Sequence, residues 1–148
     1  MKTKPTYGEA NDLNLKALIA LSRCFQSVRQ REMASIRAGG LTLPQFGVLE
    51  ILYHKGDLRV RDILEGTLST GGNMTVVIDN LEKEGLVARK PDPEDGRASR
   101  ICLTEAGRER IAGIFPGHVE NIGTIFQVLE PEEKKELVRL LKKVSKKT

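Results

Sequence analysis

Residues 68–90, LSTGGNMTVVIDNLEKEGLVARK, decide the fold. Met74, Val77, Ile78 and Leu81 recur at i, i+3, i+4 and i+7, the stripe by which a helix lies on a core. The opposite face carries Ser69, Gly72, Val76, Asp79 and Asn80, with Asn73 and Thr75 on its flanks. Short hydrogen-bonding side chains around one isolated valine, mostly in the first two turns, suit the major groove of DNA. Amides and hydroxyls read base edges there, and a valine can touch a thymine methyl. Gly71 and Gly72 each cost a helix about 1 kcal/mol relative to alanine, but they let its leading end approach a phosphate or groove wall closely. On this segment alone, an ordinary amphipathic helix with a solvated outer face is the simpler reading. The neighbouring segments decide between the two.

On the amino-terminal side, residues 1–11 read as an arm, and Asp12 to about Ala38 as a long helix. Its stripe of Leu13, Ala17, Ala20, Leu21, Cys24 and Val28 is widened by Leu18, Phe25 and Ile36, more apolar surface than one neighbour can cover. Gly39 and Gly40 stop it. Thr42-Leu-Pro-Gln45 has the form of a capping box and opens a mostly buried second helix that ends at Gly56. A short third helix at about 59–65 is anchored by Val60, Ile63 and Leu64. Two short helices, a turn and a helix with a polar leading face make a helix-turn-helix.

On the carboxyl side, Gly85 closes the opening helix. Leu86–Lys90 then reads as a strand, PDPEDG as a turn and Ser99–Leu103 as a returning strand. Alternation places Ile101 and Leu103 on the apolar face and Arg100 and Cys102 outward. A hairpin in this place is a wing, whose tip Arg97 can enter the minor groove. Taken by itself, Arg97 is equally a solvated hairpin charge. Thr104 caps a long helix with a seam from Ile111 to Leu129, in which Pro116 should introduce a kink. A last helix from Pro131 carries Leu137, Leu140, Leu141 and Val144 on one face and lysines on the other.

The expected fold is therefore mainly α with a small β-wing: a winged helix-turn-helix over residues 41–104, with helical regions at 1–38 and 105–148. A winged helix of this size needs none of that extra apolar helix, so both chain ends read as a dimerisation region. A two-fold dimer would set two reading heads roughly 34 Å apart, one DNA turn.

Charge alone does not point to nucleic acid. The formal net charge is +4, but residues 134–148 hold seven Lys or Arg against one Glu. Residues 54–110 hold ten Lys or Arg against eleven Asp or Glu, so a basic surface has to come from folding that segregates charge. Arg59, Arg61, Arg89 and Lys90 are the candidate phosphate contacts. No secretory signal and no apolar run long enough to span a bilayer is visible, which predicts a cytoplasmic protein without a membrane partner. The two cysteines, Cys24 and Cys102, have no metal-ligand or redox-motif spacing. His54 and His118 are the only histidines, with no H-x-x-H, no G-x-S-x-G and no phosphate-cradling loop, which argues against an enzyme and against a metal sensor.

The chain resembles the MarR (multiple-antibiotic-resistance regulator) transcription factors along nearly its whole length. The resemblance is most specific in the run from SxGGNMTxxIDxLExxGLV through DPEDGR to LTEAG. The family's wing pattern falls on Asp92, Pro93, Asp95 and Arg97, and implies that an Asp orients the Arg that probes the minor groove. It implies a homodimer that binds a palindromic double-stranded operator without a cofactor, and that lets go on binding a small aromatic molecule or on thiol oxidation. The chain departs from the family at Arg59, Arg61 and Leu64, where relatives usually carry a capping Ser or Thr and a small packing residue. It departs again at Gly96, where a second wing Arg is common.

The leading expectation is thus a DNA-binding transcriptional regulator, a repressor released by an effector. Ser69, Thr70, Asn73, Thr75 and Val76 are its recognition-helix contacts, and Asp95 and Arg97 its wing. The expected effector pocket lies near Phe25, Phe46, Tyr53 and His118. Two alternatives compete with that expectation. In one, Cys24 is a redox switch, against its reading as a small apolar residue on the buried stripe. In the other, the winged helix binds protein, against which the short polar leading face of the recognition helix argues.

Overall fold

The computed structural model describes residues 4–67 and 73–146. The first helix, α1 (Glu9–Ala38), starts three residues before the predicted Asp12. Asp12 lies inside the first turns: its amide donates to the Gly8 carbonyl at 2.8 Å, and its side chain accepts from the Thr6 hydroxyl at 3.0 Å and the Tyr7 amide at 3.1 Å, which ties the preceding segment to the helix. Its far end turns at Gly40, which has φ +74°, and Arg110 donates two hydrogen bonds to the Gly39 carbonyl that the ending helix leaves open. Gly39 also packs against Ile114, so the junction of α1 with the fifth helix is built from backbone on one side and an isoleucine on the other.

The predicted capping box is present. Thr42 Oγ1 accepts from the Gln45 amide and Gln45 Oε1 from the Thr42 amide, which opens α2 (Leu43–Lys55). Phe46, Val48, Leu49, Ile51 and Leu52 make α2 the buried centre of the chain. A two-residue strand follows, β1 (Leu58–Arg59), which the sequence reading assigned to the start of the third helix. Arg59 is the amino-terminal residue flanking α3 (Val60–Gly66), and it offers no side-chain cap.

The predicted reading helix is α4 (Met74–Lys83), shorter at its start than the sequence pattern suggests. Asn73 precedes it as the cap, its side-chain oxygen accepting from the Val76 amide. Met74, Ile78 and Leu81 are buried, as the stripe predicts. Gly85 takes φ +76° and ends the helix with the Leu86 amide returning to the Leu81 carbonyl, the geometry of a left-handed carboxyl cap.

The wing is β2 (Val87–Pro91) and β3 (Ser99–Leu103), paired antiparallel from Val87 opposite Leu103 to Pro91 opposite Ser99. Because Leu58 and Arg59 pair with Ile101 and Arg100, the sheet has three strands in the order β1-β3-β2, not the two of a bare hairpin. The expectation that Cys102 lies on an exposed face is overturned: Ile101 and Cys102, on opposite faces of β3, are both buried, Cys102 being 4% exposed with its thiol donating to the Ala88 carbonyl at 3.4 Å.

Thr104 joins the wing to α5 (Glu105–Phe126): its hydroxyl accepts from the Gly107 amide and donates to the Gly85 carbonyl at 2.6 Å. Pro116 lies inside α5 without ending it. The core gathers α2, α3, α4, the sheet and the first half of α5 around Phe46, Leu49, Leu52, Ile63, Ile78, Ile101 and Ile111, with Ile36 from the end of α1. The two chain ends contribute little to it. Ile36 is the only fully buried side chain of α1, and α6 (Pro131–Ser145) has none. Leu13, Leu18 and Phe25 of α1 are at least half exposed, as are Val138 and Val144 of α6. Among the described residues no helix is long and apolar enough to cross a membrane.

Candidate nucleic-acid interface and cavity

With Met74, Ile78 and Leu81 turned inward, α4 leaves Thr75, Val76, Asn80, Glu82 and Lys83 exposed and Asp79 partly so. Asn73 stands at the tip, its oxygen committed to the cap and its amide nitrogen outside that bond. Val76, 47% exposed, is an apolar side chain standing out of a polar surface. Ser69 and Thr70 lie outside the described residues.

The wing loop is organised by Asp92, which is 3% exposed. Its Oδ1 accepts from the backbone amides of Glu94 at 2.8 Å and Asp95 at 3.3 Å, folding the turn. Its Oδ2 accepts from Arg59 Nε at 2.7 Å and Arg100 Nε at 3.1 Å, tying the turn to β1 and β3. The Arg59 guanidinium, helped by the Glu94 amide and Arg100, holds the Asp92 carboxyl well below the usual carboxylate range. Asp95 accepts from the Arg97 backbone amide at 3.0 Å, so it shapes the turn through the main chain of Arg97, whose side chain is exposed.

The four cations expected at phosphates divide into two kinds. Arg61 and Lys90 are exposed. Arg59 is held by Asp92, and the hydrogen bond between them raises its pKa. Arg89 is forked between Asp79 and Glu82 at 2.6 Å each, and its pKa rises too, first through the hydrogen bond to Asp79. Arg61, 4.0 Å from the Asp62 carboxylate, and Lys90 are thus open to solvent, while Arg59 and Arg89 are engaged at short range by internal partners.

A cavity of about 280 Å³ opens between α1, α2 and the end of α3. Leu43, Phe46 and Ile51 make its apolar wall, and Arg29, Glu32, Glu50, His54 and Lys55 its polar one. Burial raises the Glu50 pKa, with Glu32 adding to the rise and His118 and His54 opposing it. Thr67 also lines the cavity, and its buried Oγ1 has no hydrogen-bond partner among the described residues. Beside the cavity, His118 is buried against Phe46, with ring centroids 4.6 Å apart, and shares a 3.2 Å hydrogen bond with Ser35 Oγ. Ser35 donates its one proton to the Glu32 carbonyl and accepts from Asn121, so the third contact is satisfied when His118 Nδ1 carries the proton.

Residues 39–98, the helix-turn-helix and most of the wing, match the model of the MarR family. The HTH-type transcriptional regulator MhqR of Bacillus subtilis (strain 168) is 37% identical over 131 residues, spanning 88% of this chain and 90% of that protein. The chain belongs to the MarR family of transcriptional regulators. It is a DNA-binding regulator and not an enzyme. The HTH-type transcriptional repressor YetL of the same organism is 30% identical over 104 residues, 69% of this chain and 62% of that protein. Among solved structures, BpsR of Bordetella bronchiseptica, whose DNA binding is regulated by 6-hydroxynicotinic acid, superposes with a TM-score of 0.77 at 26% identity. That likeness covers 98% of this chain and 100% of BpsR.

For this MarR-family chain, the structure brings Thr75, Val76 and the wing residues Asp95 and Arg97 to the surface of one lobe. Of Phe25, Phe46, Tyr53 and His118, the residues expected near a pocket, Phe46 lines this cavity and His118 packs against Phe46 beside it. Phe25 is 56% exposed beneath the Arg29 guanidinium, and Tyr53 sits edge-on to His54 under Arg108. Cys24, expected on a buried stripe, is exposed in the single chain because, among the described residues, no other element covers that part of α1. The cavity residues missed from sequence, Glu50 and His54, do carry a signal. With Leu43, Phe46 and Gly47 they fall at helical spacing on one face of α2, where a carboxylate and an imidazole interrupt an otherwise apolar helix.

Proposed function

We propose that this MarR-family chain is a repressor that binds a palindromic operator as a homodimer, with α4 in the major groove and Arg97 of the wing in the adjacent minor groove. The observation that carries the reading is the pairing, on one lobe, of an exposed Thr75, Val76 and Asn80 surface on α4 with an exposed Arg97 on a turn folded by Asp92 and Asp95. Residues 1–38 and 105–148 form the dimerisation region, for which the uncovered apolar faces of α1 and α6 supply the surface. A relative named as a repressor supports the sign of the regulation.

The place of the cavity supports release by an effector. It is walled by Gly66 and Thr67, immediately before the segment that leads into α4, and on its other sides by α1 and α2. A ligand there bears on both the proposed dimer arm and the reading helix. An aromatic acid suits the combination of Phe46 with His54 and Lys55, Arg29 being engaged by Glu32 at 3.1 Å, and the regulation of BpsR by 6-hydroxynicotinic acid supports that class.

The test is a footprint on DNA upstream of the chain's own gene, followed by titration at fixed salt. A symmetric footprint, a loss of about 1–3 kcal/mol for Arg97→Ala and release by 6-hydroxynicotinic acid or a related acid are the expected results. Unchanged affinity for Arg97→Ala removes the wing from the mechanism. A second reading, a thiol switch, is favoured by the exposure of Cys24. Operator release by mild peroxide in wild type but not in Cys24→Ser supports it, and release in both rejects it.

A further inference from the structure

Asp79 and Glu82 lie three residues apart on α4, with side chains 45% and 42% exposed. On a helix that enters a groove, two unpaired carboxylates repel each other and the phosphates on either side. Arg89 meets both. Its Nη1 donates to Glu82 Oε1 and its Nη2 to Asp79 Oδ1, each at 2.6 Å, the length of a charge-assisted bond. Strand geometry fixes this choice. Val87, Arg89 and Pro91 share one face of β2, while Lys90 projects from the other and makes no ion pair among the described residues. One strand thus supplies a cation to the recognition helix and, from the next position, an exposed cation.

We propose that Arg89 is a positioning residue for DNA recognition: it neutralises Asp79 and Glu82 and pins α4 to the wing, and it does not contact a phosphate itself. This rests on α4 being the reading helix. The sequence left Arg89 indistinguishable from Lys90 as a phosphate ligand. The two acids on α4 that it serves explain how a lobe with balanced charge can still present a surface that tolerates DNA.

The test is a double-mutant cycle. Arg89→Ala is made in the wild-type chain and in a chain carrying Asp79→Asn with Glu82→Gln. All four proteins are titrated over a range of salt with a duplex selected against the wild-type chain from a randomised pool. Arg89→Ala is expected to weaken binding about tenfold or more with the acids present, and less than about threefold without them, leaving the salt slope of the acid-free pair unchanged. A ratio of the two losses below about threefold overturns the proposal, and a salt slope reduced by about one then makes Arg89 a phosphate contact. Val76→Ala on the same duplex tests α4 itself. Unchanged affinity there removes α4 from the groove whatever the cycle shows. Thermal melts report that each protein is folded, and Arg89→Gln repeats the cycle if the alanine variant is not.

Discussion

Asp92 Oδ2 accepts a 2.7 Å hydrogen bond from Nε of Arg59, 33 residues earlier in the chain. Through that bond the base of the wing is fixed to the residue of β1 that immediately precedes α3. The same carboxylate folds the wing turn with its other oxygen, so one buried acid sets both the shape of the wing and its attachment. The MarR-family wing pattern includes this Asp. In this chain the arginine that meets it stands where relatives carry a helix cap, which gives the departure at Arg59 a structural use.

Asp92→Asn therefore lowers the thermal midpoint and loosens the wing, with operator affinity falling alongside. The pH dependence has a definite sign. The folded pKa is depressed, so the stability from ionised Asp92 is fully present above its unfolded value, near 3.9, and is lost as pH falls through the folded value. The gap in midpoint between wild type and Asp92→Asn is expected to hold steady from pH 7 to about 5 and to narrow below about 4. A gap independent of pH down to 3 would show that the carboxylate's charge is not what holds the wing.

Glu50 behaves in the opposite sense. Burial raises its folded pKa, so the stability tied to its protonated form is fully present below the unfolded value, near 4.3, and is lost as pH rises through the folded value. Glu50→Gln removes that loss. The variant should melt higher than wild type at pH 7 and no higher at pH 4. Melts at the two pH values decide the matter, and a variant less stable at pH 7 means that Glu50 is held by a favourable charge contact that outweighs its burial.

Most of the architecture was legible because it is encoded locally. The Thr42–Gln45 box, the stripe Met74, Ile78, Leu81 and the Gly85 stop each depend on residues within a few positions, and each stands where the pattern places it. What was missed is non-local. The strand at Leu58–Arg59 exists because β3 offers it an edge about forty residues later, and Cys102 is buried although it lies on the face of β3 opposite the buried Ile101, so both faces of that strand are covered. Arg59 and Arg89 read as free cations until the fold brings Asp92, Asp79 and Glu82 to them. Cys24 fails for the reverse reason: an apolar stripe shows that a face is to be covered, but not that the cover comes from the same chain.

The burial of Cys102 can be measured by thiol labelling. In Cys24→Ser, Cys102 is the only thiol, buried and donating a hydrogen bond to the Ala88 carbonyl. An aromatic disulfide reagent should react with it at least about a hundredfold more slowly in the native protein than in denaturant, which corresponds to a local opening cost of roughly 3 kcal/mol. Labelling at the denatured rate would place Cys102 on the outer face of the wing after all.

Gly107, in the first turn of α5, packs directly against the backbone of Leu86. A Cβ there would fall on the Leu86 carbonyl oxygen and come within 3.3 Å of Leu103 Cδ2. That carbonyl already accepts from the Thr104 amide at 3.1 Å, so it cannot retreat without releasing the joint between the end of α4, the wing and α5. Gly107→Ala is accordingly an overpacking change, expected to cost about 1–3 kcal/mol and to lower operator affinity by tilting the wing. Gly113, three residues short of Pro116 on the same helix, has open space where its Cβ would go. Gly113→Ala should instead stabilise the helix by about 0.4–1 kcal/mol. Denaturant melts of the two variants give opposite signs if the Leu86 contact is what Gly107 protects; two gains would mean that the joint can give way without loss.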